Sequence, residues 1–383
     1  MTQARVLKVA DIRREMQKIG VDPYGIKLMS GKAVFRVIKL EDVDHRVANI
    51  LKQEMLSLGG EAACSRAVMS LKKGRAGVLL LGTAYQFRKL ILKLSYQPFG
   101  LKNIAWQIKT LIDLGSRPAV KPLVMGILNI TPDSFSDGGR FMDVASACEK
   151  ALALAAEGAD ILDIGGESSR PGSRPVDTRE ELRRVLPVLK KLKNIIKIPI
   201  SIDTYKAVVA EACLEQGASI INDISALRAD KRMAKVAARH KARVVLMHMQ
   251  GQPRHMQDQP HYQDVISEIY GFFAERIAWA EERGIPRDKM IIDPGIGFGK
   301  TLEHNCELLR KLSEFKSLGC PLLLGASRKT MIGKILRQEP ADRLTGSLAV
   351  AAWGFQNGAD ILRVHDVKET RELLKVLTAI KNT

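Results

Sequence analysis

No apolar run in the 383 residues approaches the ~18 that a membrane-spanning helix requires, and charged residues make up 27% of the chain. The opening stretch, MTQARVLKVADIRREMQ, is charged throughout and has no apolar segment ahead of a small-residue cleavage site, so no secretory leader is expected. Paired cysteines are missing as well. Cys64, Cys148, Cys213, Cys306 and Cys320 are odd in number, widely scattered and form no CxxC. That spacing argues against a disulfide framework and against a zinc site, and suits idle or buried thiols in a reducing cytoplasm. There is no block of five or six like charges, the usual mark of a disordered interaction tail.

What is present is an ordinary globular composition, 46% hydrophobic, in a chain long enough for one large domain and a small one. The net charge of +18 is uneven: residues 1–120 carry 21 Lys/Arg against 9 Asp/Glu, and the other 263 carry 39 against 33. A basic front module is open to two readings, charges spread over solvated faces or a surface for nucleic acid or another acidic partner. Gly115, Pro118 and Pro122 punctuate a break. The expected division is a small basic α/β domain over 1–115, a linker at 116–122 and a second domain from 123 to 383.

In the front domain, 33–40 alternates like a strand, 42–58 is amphipathic as a helix, 77–81 is a short apolar strand, and 84–94 and 101–114 have helical periodicity. After the break a rhythm of short apolar strands and helical stretches begins. Strands are expected at 123–128, 160–164, 200–202, 219–221, 243–247, 290–292, 322–324 and 360–364. Helices are expected near 143–157, 177–192, 205–217, 229–240, 263–283, 303–315, 342–357 and 367–380, with Gly158 and Gly217 as C-terminal caps and Asp177 with Glu180 as a capping box. Eight βα units in this length fit a (β/α)8 TIM barrel. A doubly wound sheet is the competitor, but the first turn is NITPDSFSDGG and not GxGxxG.

In a TIM barrel the chemistry lies at the strand C-termini. All eight expected strands run into polar groups there: Asn129; Gly165 to Arg170; Asp203; Asn222; His248; Asp293; Ser327, Arg328 and Lys329; and His365 beyond Arg363. Arg170, Arg328, Lys329, Arg363 and His365 would make the mouth cationic, suited to a phosphate-bearing substrate. Asp203, Asn222 and Asp293 add directional donors and acceptors that match the edge of a flat, nitrogen-rich ring. A diphosphate would bring Mg²⁺, which needs few protein ligands. Each residue also has a plainer reading: Asp203 as a helix cap, Asn222 as a turn residue, His248 as a satisfied core histidine, and Met247 and Met249 as core. PGIGFGKT at 294–301 is one residue short of a Walker loop, and is expected to be a tight loop that lets backbone approach a ligand.

The motifs MGILNITPDSFSDGGRF (125–141), DILDIGGESSRPGS (160–173), SIDT (201–204), IINDIS (220–225), HMQGQP (248–253), IIDPGIGFGK (291–300), GASRKTMIG (325–333) and RVHDV (363–367) stand in an order that resembles the dihydropteroate synthase family of pterin-binding barrels. The resemblance spans about 120–383. It implies condensation of (7,8-dihydropterin-6-yl)methyl diphosphate with p-aminobenzoate, through an SN1-like loss of diphosphate assisted by Mg²⁺. Asn129 would help to hold the Mg²⁺. Asp203, Asn222, Asp293 and Lys329 would hold the pterin, and Ser169, Arg363 and His365 the diphosphate. Arg170, Pro171, Phe298, Ser327 and Lys329 would shape the p-aminobenzoate site, with Asp137 of the first loop joining Arg170 of the second over it. Lys329, Arg363, His365, Asp137 and Arg170 are thus the implied catalytic set. The family's pattern has Thr where Ser169 stands, which keeps the hydroxyl and loses a methyl. Residues 1–115 lie outside the resemblance and carry no pattern of a fused pyrophosphokinase or aldolase. The resemblance also implies a homodimer paired through late helices. Two alternatives share the pterin slot: a methyltetrahydrofolate–corrinoid type methyltransferase, and a non-catalytic pterin-binding homologue.

Overall fold

The computed structural model describes residues 4, 5, 7, 12–69, 73–114, 121–130, 144–168, 173 and 175–382. The chain divides into two compact units, 1–117 and 118–383.

The first unit holds a three-stranded antiparallel sheet in the order β1-β3-β2, from β1 (Phe35–Asp44), β2 (Glu61–Cys64) and β3 (Arg75–Thr83). Its helices are α1 (Ile12–Lys18), α2 (Pro23–Met29), α3 (His45–Ser57), α4 (Arg66–Met69), α5 (Ala84–Leu94) and α6 (Leu101–Leu114). Ile38 and Leu40 of β1, Val78 and Leu80 of β3, Leu51 and Met55 of α3, and Phe87 and Leu90 of α5 share one buried cluster. The period-2 pattern of the strands and the helical period of α3 and α5 therefore converge on one core. The expected helix over 42–58 begins later, at His45. A register shift between Leu40 and Val43, with Asp42 at φ 55°, keeps 42–44 in the strand, and the Asp44 carboxylate then caps the helix by accepting from the Arg46 N–H at 2.9 Å. α5 starts on a full capping box, with Thr83 N–H donating to Gln86 at 2.7 Å and Gln86 N–H to Thr83 Oγ at 3.3 Å.

The second unit contains eight parallel strands: β4 (Leu123–Asn129), β5 (Ile161–Gly165), β6 (Ile200–Asp203), β7 (Ile220–Asp223), β8 (Arg243–Met247), β9 (Met290–Asp293), β10 (Leu323–Leu324) and β11 (Ile361–Val364). They pair in sequence from β4 to β9, β11 pairs back onto β4, and an Ile292–Leu322 bridge joins β9 to the β10 segment, which closes the ring. This is the expected (β/α)8 barrel, with every expected strand present to within a residue or so. Helices α7 (Val144–Ala156), α8 (Thr178–Leu192), α9 (Ala207–Glu215), α10 (Met233–Arg239), α11 (Val265–Glu281), α12 (Leu302–Arg310), α14 (Leu344–Gln356) and α15 (Val367–Asn382) follow the strands, and a short α13 (Thr330–Leu336) precedes α14.

Gly158 and Gly217 sit at φ 103° and 104° after α7 and α9, the left-handed C-cap that glycine alone adopts without strain. The box expected at α8 is only half formed. Asp177 accepts from Arg179 and Glu180 N–H, while the Glu180 carboxylate turns outward to Arg183 and Arg184.

Strand alternation sorts the side chains. One set packs outward against the helices. The inward set begins with a dry layer of Met125, Ile161, Ile220, Val245, Ile291, Leu323 and Ile361. Two residues further along β5, β7, β9 and β11, on the same face, stand Asp163, Asn222, Asp293 and Arg363. The apolar plug therefore gives way to polar groups toward the C-terminal rim.

Candidate active site

Arg363 is the centre of that rim. Its Nε donates to Asp163 Oδ2 and its Nη2 to Asp203 Oδ2, both at 2.7 Å. Asn222 Nδ2 donates to the same Asp163 oxygen at 3.1 Å. Three strands and the last one are thus tied through one guanidinium, whose fork geometry suits two carboxylates at once. Burial works against the Arg363 charge, but Asp163 and Asp203 outweigh it and hold the guanidinium above its ordinary range. Burial pushes the Asp203 carboxyl up to about 7, with Arg363 opposing.

The other expected residues cluster around this network. A Cβ placed on Gly165 would lie 3.4 Å from the Asp203 Cβ and 3.6 Å from Asn129 Oδ1, so this glycine keeps those two groups side by side. A Cβ on Gly325 would lie 3.5 Å from Asp293 Oδ2 and 3.8 Å from the Arg363 Cβ. Burial raises the Asp293 carboxyl, while Lys329 and a 2.8 Å hydrogen bond from the Gly295 N–H pull it back. Lys329 donates to the Ile296 carbonyl and stands 4.5 Å above the Phe298 ring. Burial lowers its ammonium to about 8, against the pull of Asp293. His365 Nδ1 is 3.0 Å from Ser327 Oγ, which also accepts from the His365 N–H at 3.2 Å. Phe298 forms the site's apolar wall with Ile224, Met247, Met249 and Met256.

The structure thus brings Asn129, Asp203, Asn222, Asp293, Phe298, Ser327, Lys329, Arg363 and His365 to one rim. Asp137, Ser169, Arg170 and Pro171 lie outside the described residues. The plainer readings of Asp203 and Asn222 fail: the residue before α9 is Lys206, and Asn222 lies within β7. For His248 the plainer reading holds. Burial, with Lys300 beside it, pushes its imidazole down to about 2, and it packs edge-on to Phe272 at 4.9 Å.

One expectation needs correction. Arg328 is not a mouth cation: it adopts φ 56° and the Nε and Nη2 edge of its guanidinium donates to the two carboxylate oxygens of Asp366. Two glycines of PGIGFGK are required by packing within the protein. A Cβ on Gly295 would lie 2.0 Å from the His248 carbonyl oxygen, and one on Gly299 2.5 Å from that of Gln250. Lys300 staples the same loop from inside, donating to the carbonyls of Gly295 (3.0 Å) and Phe298 (2.9 Å).

Asp163 was missed by sequence reasoning. It is 0% exposed, its Oδ1 has no protein hydrogen-bond partner, and the same holds for Ser201 Oγ next to it on β6. The signal was available. In ILDIGG, Asp163 is two residues from Ile161 and so shares its inward face, and a charge inside a strand buried on both faces needs a partner.

Fold and rim together define a (β/α)8 barrel of the enzyme type, with a buried cluster of charged and polar groups at the C-terminal ends of its strands. A sequence model described as pterin binding enzyme matches residues 125–365. The dihydropteroate synthase of Escherichia coli is 48% identical over 258 residues, 67% of this chain and 91% of that protein. A Xanthomonas albilineans dihydropteroate synthase solved in complex with 7,8-dihydropteroate superposes with a TM-score of 0.63 at 43% identity, covering 71% of this chain and 98% of that one. A Halobacterium salinarum protein named as a probable bifunctional folylpolyglutamate synthase/dihydropteroate synthase is 39% identical over 97% of this chain, front unit included, and this chain spans 46% of its length. The chain belongs to the pterin-binding enzyme family and, within it, to the dihydropteroate synthases. The methyltransferase and non-catalytic alternatives are not favoured.

Proposed function

We propose that this chain joins (7,8-dihydropterin-6-yl)methyl diphosphate to p-aminobenzoate, releasing 7,8-dihydropteroate and diphosphate. The observation that carries the reading is the group of Asp203, Asn222 and Asp293 about Arg363 at the C-terminal rim of a synthase-family barrel. The carboxylates and the amide present acceptors and donors to the pterin edge, and their negative charge lies where the ring turns cationic as the C–O bond breaks. Arg363 uses two of its five N–H groups on Asp163 and Asp203, which leaves donors for the departing diphosphate. Because two carboxylates already hold it in place, little reorganisation accompanies that charge build-up. His365 and Ser327 border the same edge. Lys329, over Phe298, closes the pterin slot and flanks the incoming arylamine. Ser169, Arg170, Pro171 and Asp137 keep their roles on the two loops as part of this proposal.

Asn129 fits the Mg²⁺ implied by the family. It offers one neutral oxygen at a strand end, and among the described residues no group of three His, Cys, Asp or Glu is placed to hold a metal. A metal brought by the diphosphate and needing few protein ligands suits that donor set; it would supply Lewis-acid stabilisation of the leaving group.

The proposal extends to a homodimer and to a cytoplasmic setting. Exposed Trp353 on α14 and Val376 and Ile380 on α15 support pairing through late helices. Five free cysteines support a reducing compartment. Incubating the purified chain with the dihydropterin diphosphate, p-aminobenzoate and Mg²⁺ tests the central claim: 7,8-dihydropteroate and diphosphate should appear in equal amounts. A folded protein that makes neither would overturn it.

A further inference from the structure

Gly297 stands between Ile296 and Phe298, the two residues of the connection after β9 that meet the Lys329 ammonium. It has φ 83° and no side chain of its own, so its place is set by what its two peptide groups bond to. Each group is held at both ends. In the Ile296–Gly297 peptide the carbonyl accepts from Lys329 and the N–H donates to Asn305 Oδ1 of α12 at 2.7 Å. Asn305 is buried, and its own amide donates to the Thr301 carbonyl at 2.6 Å. In the Gly297–Phe298 peptide the N–H donates to the Gly295 carbonyl at 3.0 Å and the carbonyl accepts from Gln257 Nε2. A Cβ on Gly297 would lie 3.3 Å from Lys329 Cδ, so the lysine stem runs against this glycine.

Gln257 belongs to a different connection, the one between β8 and α11. Its backbone is anchored there. The neighbouring Met256 is 3% exposed, packs in the same apolar cluster as Phe298, and donates its N–H to the Gln252 carbonyl at 2.7 Å. Further along, the Tyr262 hydroxyl donates to the Gly299 carbonyl at 2.9 Å, so the two connections are bonded on either side of Phe298. The Gln257 side chain itself is exposed.

We propose that Gln257 is a positioning residue for the arylamine: it holds the Gly297–Phe298 peptide from the solvent side and so sets how the Phe298 ring stands beside Lys329 where p-aminobenzoate enters. This inference rests on the synthase reading for the roles of Phe298 and Lys329. It separates two ligands. A pterin held by Asp203 and Asn222, on β6 and β7, does not depend on the Gln257 bond; the arylamine, met by Phe298, does.

The test compares wild type with Gln257→Leu, Gln257→Glu and Gln257→Lys. The measurements are steady-state kinetics with p-aminobenzoate, calorimetric binding of 6-hydroxymethylpterin, thermal denaturation, and hydrogen exchange of peptides covering 294–301. Gln257→Leu removes the donor, and Gln257→Glu keeps the shape while turning an acceptor toward the Gly297 carbonyl. Both should raise the KM for p-aminobenzoate about fivefold, the equivalent of ~1 kcal/mol and the size of one net hydrogen bond. Both should leave pterin affinity within about twofold and speed exchange in the 294–301 peptides. Because an exposed side chain carries the bond, the melting temperature should stay within about 2 °C. Gln257→Lys retains an N–H donor and should recover KM to within about twofold of wild type. Unchanged KM in the leucine and glutamate variants, pterin affinity falling in parallel with KM, or a loss that lysine does not recover would overturn the proposal. A wild type without turnover would sink the synthase reading alone, and the exchange data would still decide whether Gln257 holds the segment.

Discussion

Replacing Arg363 with methionine removes the cation that, among the described residues, bridges Asp163 and Asp203, while keeping most of the side-chain volume. Both ion pairs are 2.7 Å long and Asp163 is fully buried. Breaking a buried pair from one side costs about 3–5 kcal/mol, because the stranded charge keeps its desolvation penalty and loses its partner. At about 2–4 °C per kcal/mol for a unit of this size, the melting temperature should fall by roughly 6–20 °C at neutral pH. The fall should also depend on pH with a definite sign. Burial raises the Asp203 carboxyl to about 7 with Arg363 still opposing, so without Arg363 it rises further. A carboxyl raised in the folded state binds its proton more tightly there than in the unfolded chain. Stability is then highest at low pH and declines as pH rises toward the folded pKa, by up to about 1.4 kcal/mol per unit for one group. The wild type shares that decline up to its own value of about 7, so the gap between the two proteins widens above pH 7, by about 1.4 kcal/mol between pH 7 and pH 8. Denaturation of both proteins from pH 5 to pH 8 should show a gap that is widest at pH 8, with turnover lost throughout. A gap that stays constant with pH, or a variant that is the more stable protein at pH 8, would refute the ionic account of this network.

Other outcomes follow from the same geometry. Burial lowers Lys329 to about 8, so kcat/KM should decline as pH rises through about 8 and the ammonium loses its proton. Lys329→Arg should abolish that alkaline limb whatever its residual rate, and a limb that persists in the arginine variant would assign it elsewhere. Gly295→Ala would drive a Cβ to 2.0 Å from the His248 carbonyl at a backbone φ of 67°; a loss of about 2 kcal/mol or more is expected in chemical denaturation. Lys300→Met removes the side-chain donor to the Phe298 carbonyl and leaves the Gly295 carbonyl with the Phe298 N–H alone, and should cost about 1–3 kcal/mol and raise the KM for p-aminobenzoate through displacement of Phe298. Chelation should stop turnover, and added Mg²⁺ should restore it, with the melting temperature unmoved, since no described cluster makes the fold depend on a metal.

Strand identity was legible because alternation and apolar runs are local properties. Strand Arg243–Met247 matches to the residue, and so does helix Ala84–Leu94, whose period is equally local. What escaped local reading depended on partners distant in sequence. β2 is four residues long and lies at a sheet edge, where its pairing with β3, not its own pattern, makes it a strand. α13 is a seven-residue helix that follows Lys329 directly and has no side-chain cap to announce it. Arg328 and Lys329 are neighbours of similar charge, yet the left-handed backbone at Arg328 turns one to Asp366 while the other enters the site. No feature of the dipeptide distinguishes them.

The order of eight strands, their polar ends and the synthase motifs were determined by the chain itself, because each rests on residue types at short spacing. Tertiary structure decided which of those ends act together. Arg363 and Asp163 are separated by 200 positions and meet at 2.7 Å only because the barrel closes β11 onto β4 and β5. The same closure makes Asp163 a partner of the site and not a buried liability, while Lys300 staples the PGIGFGK loop from inside. A charge takes its meaning from what neutralises it, and that neighbour is assigned by the fold.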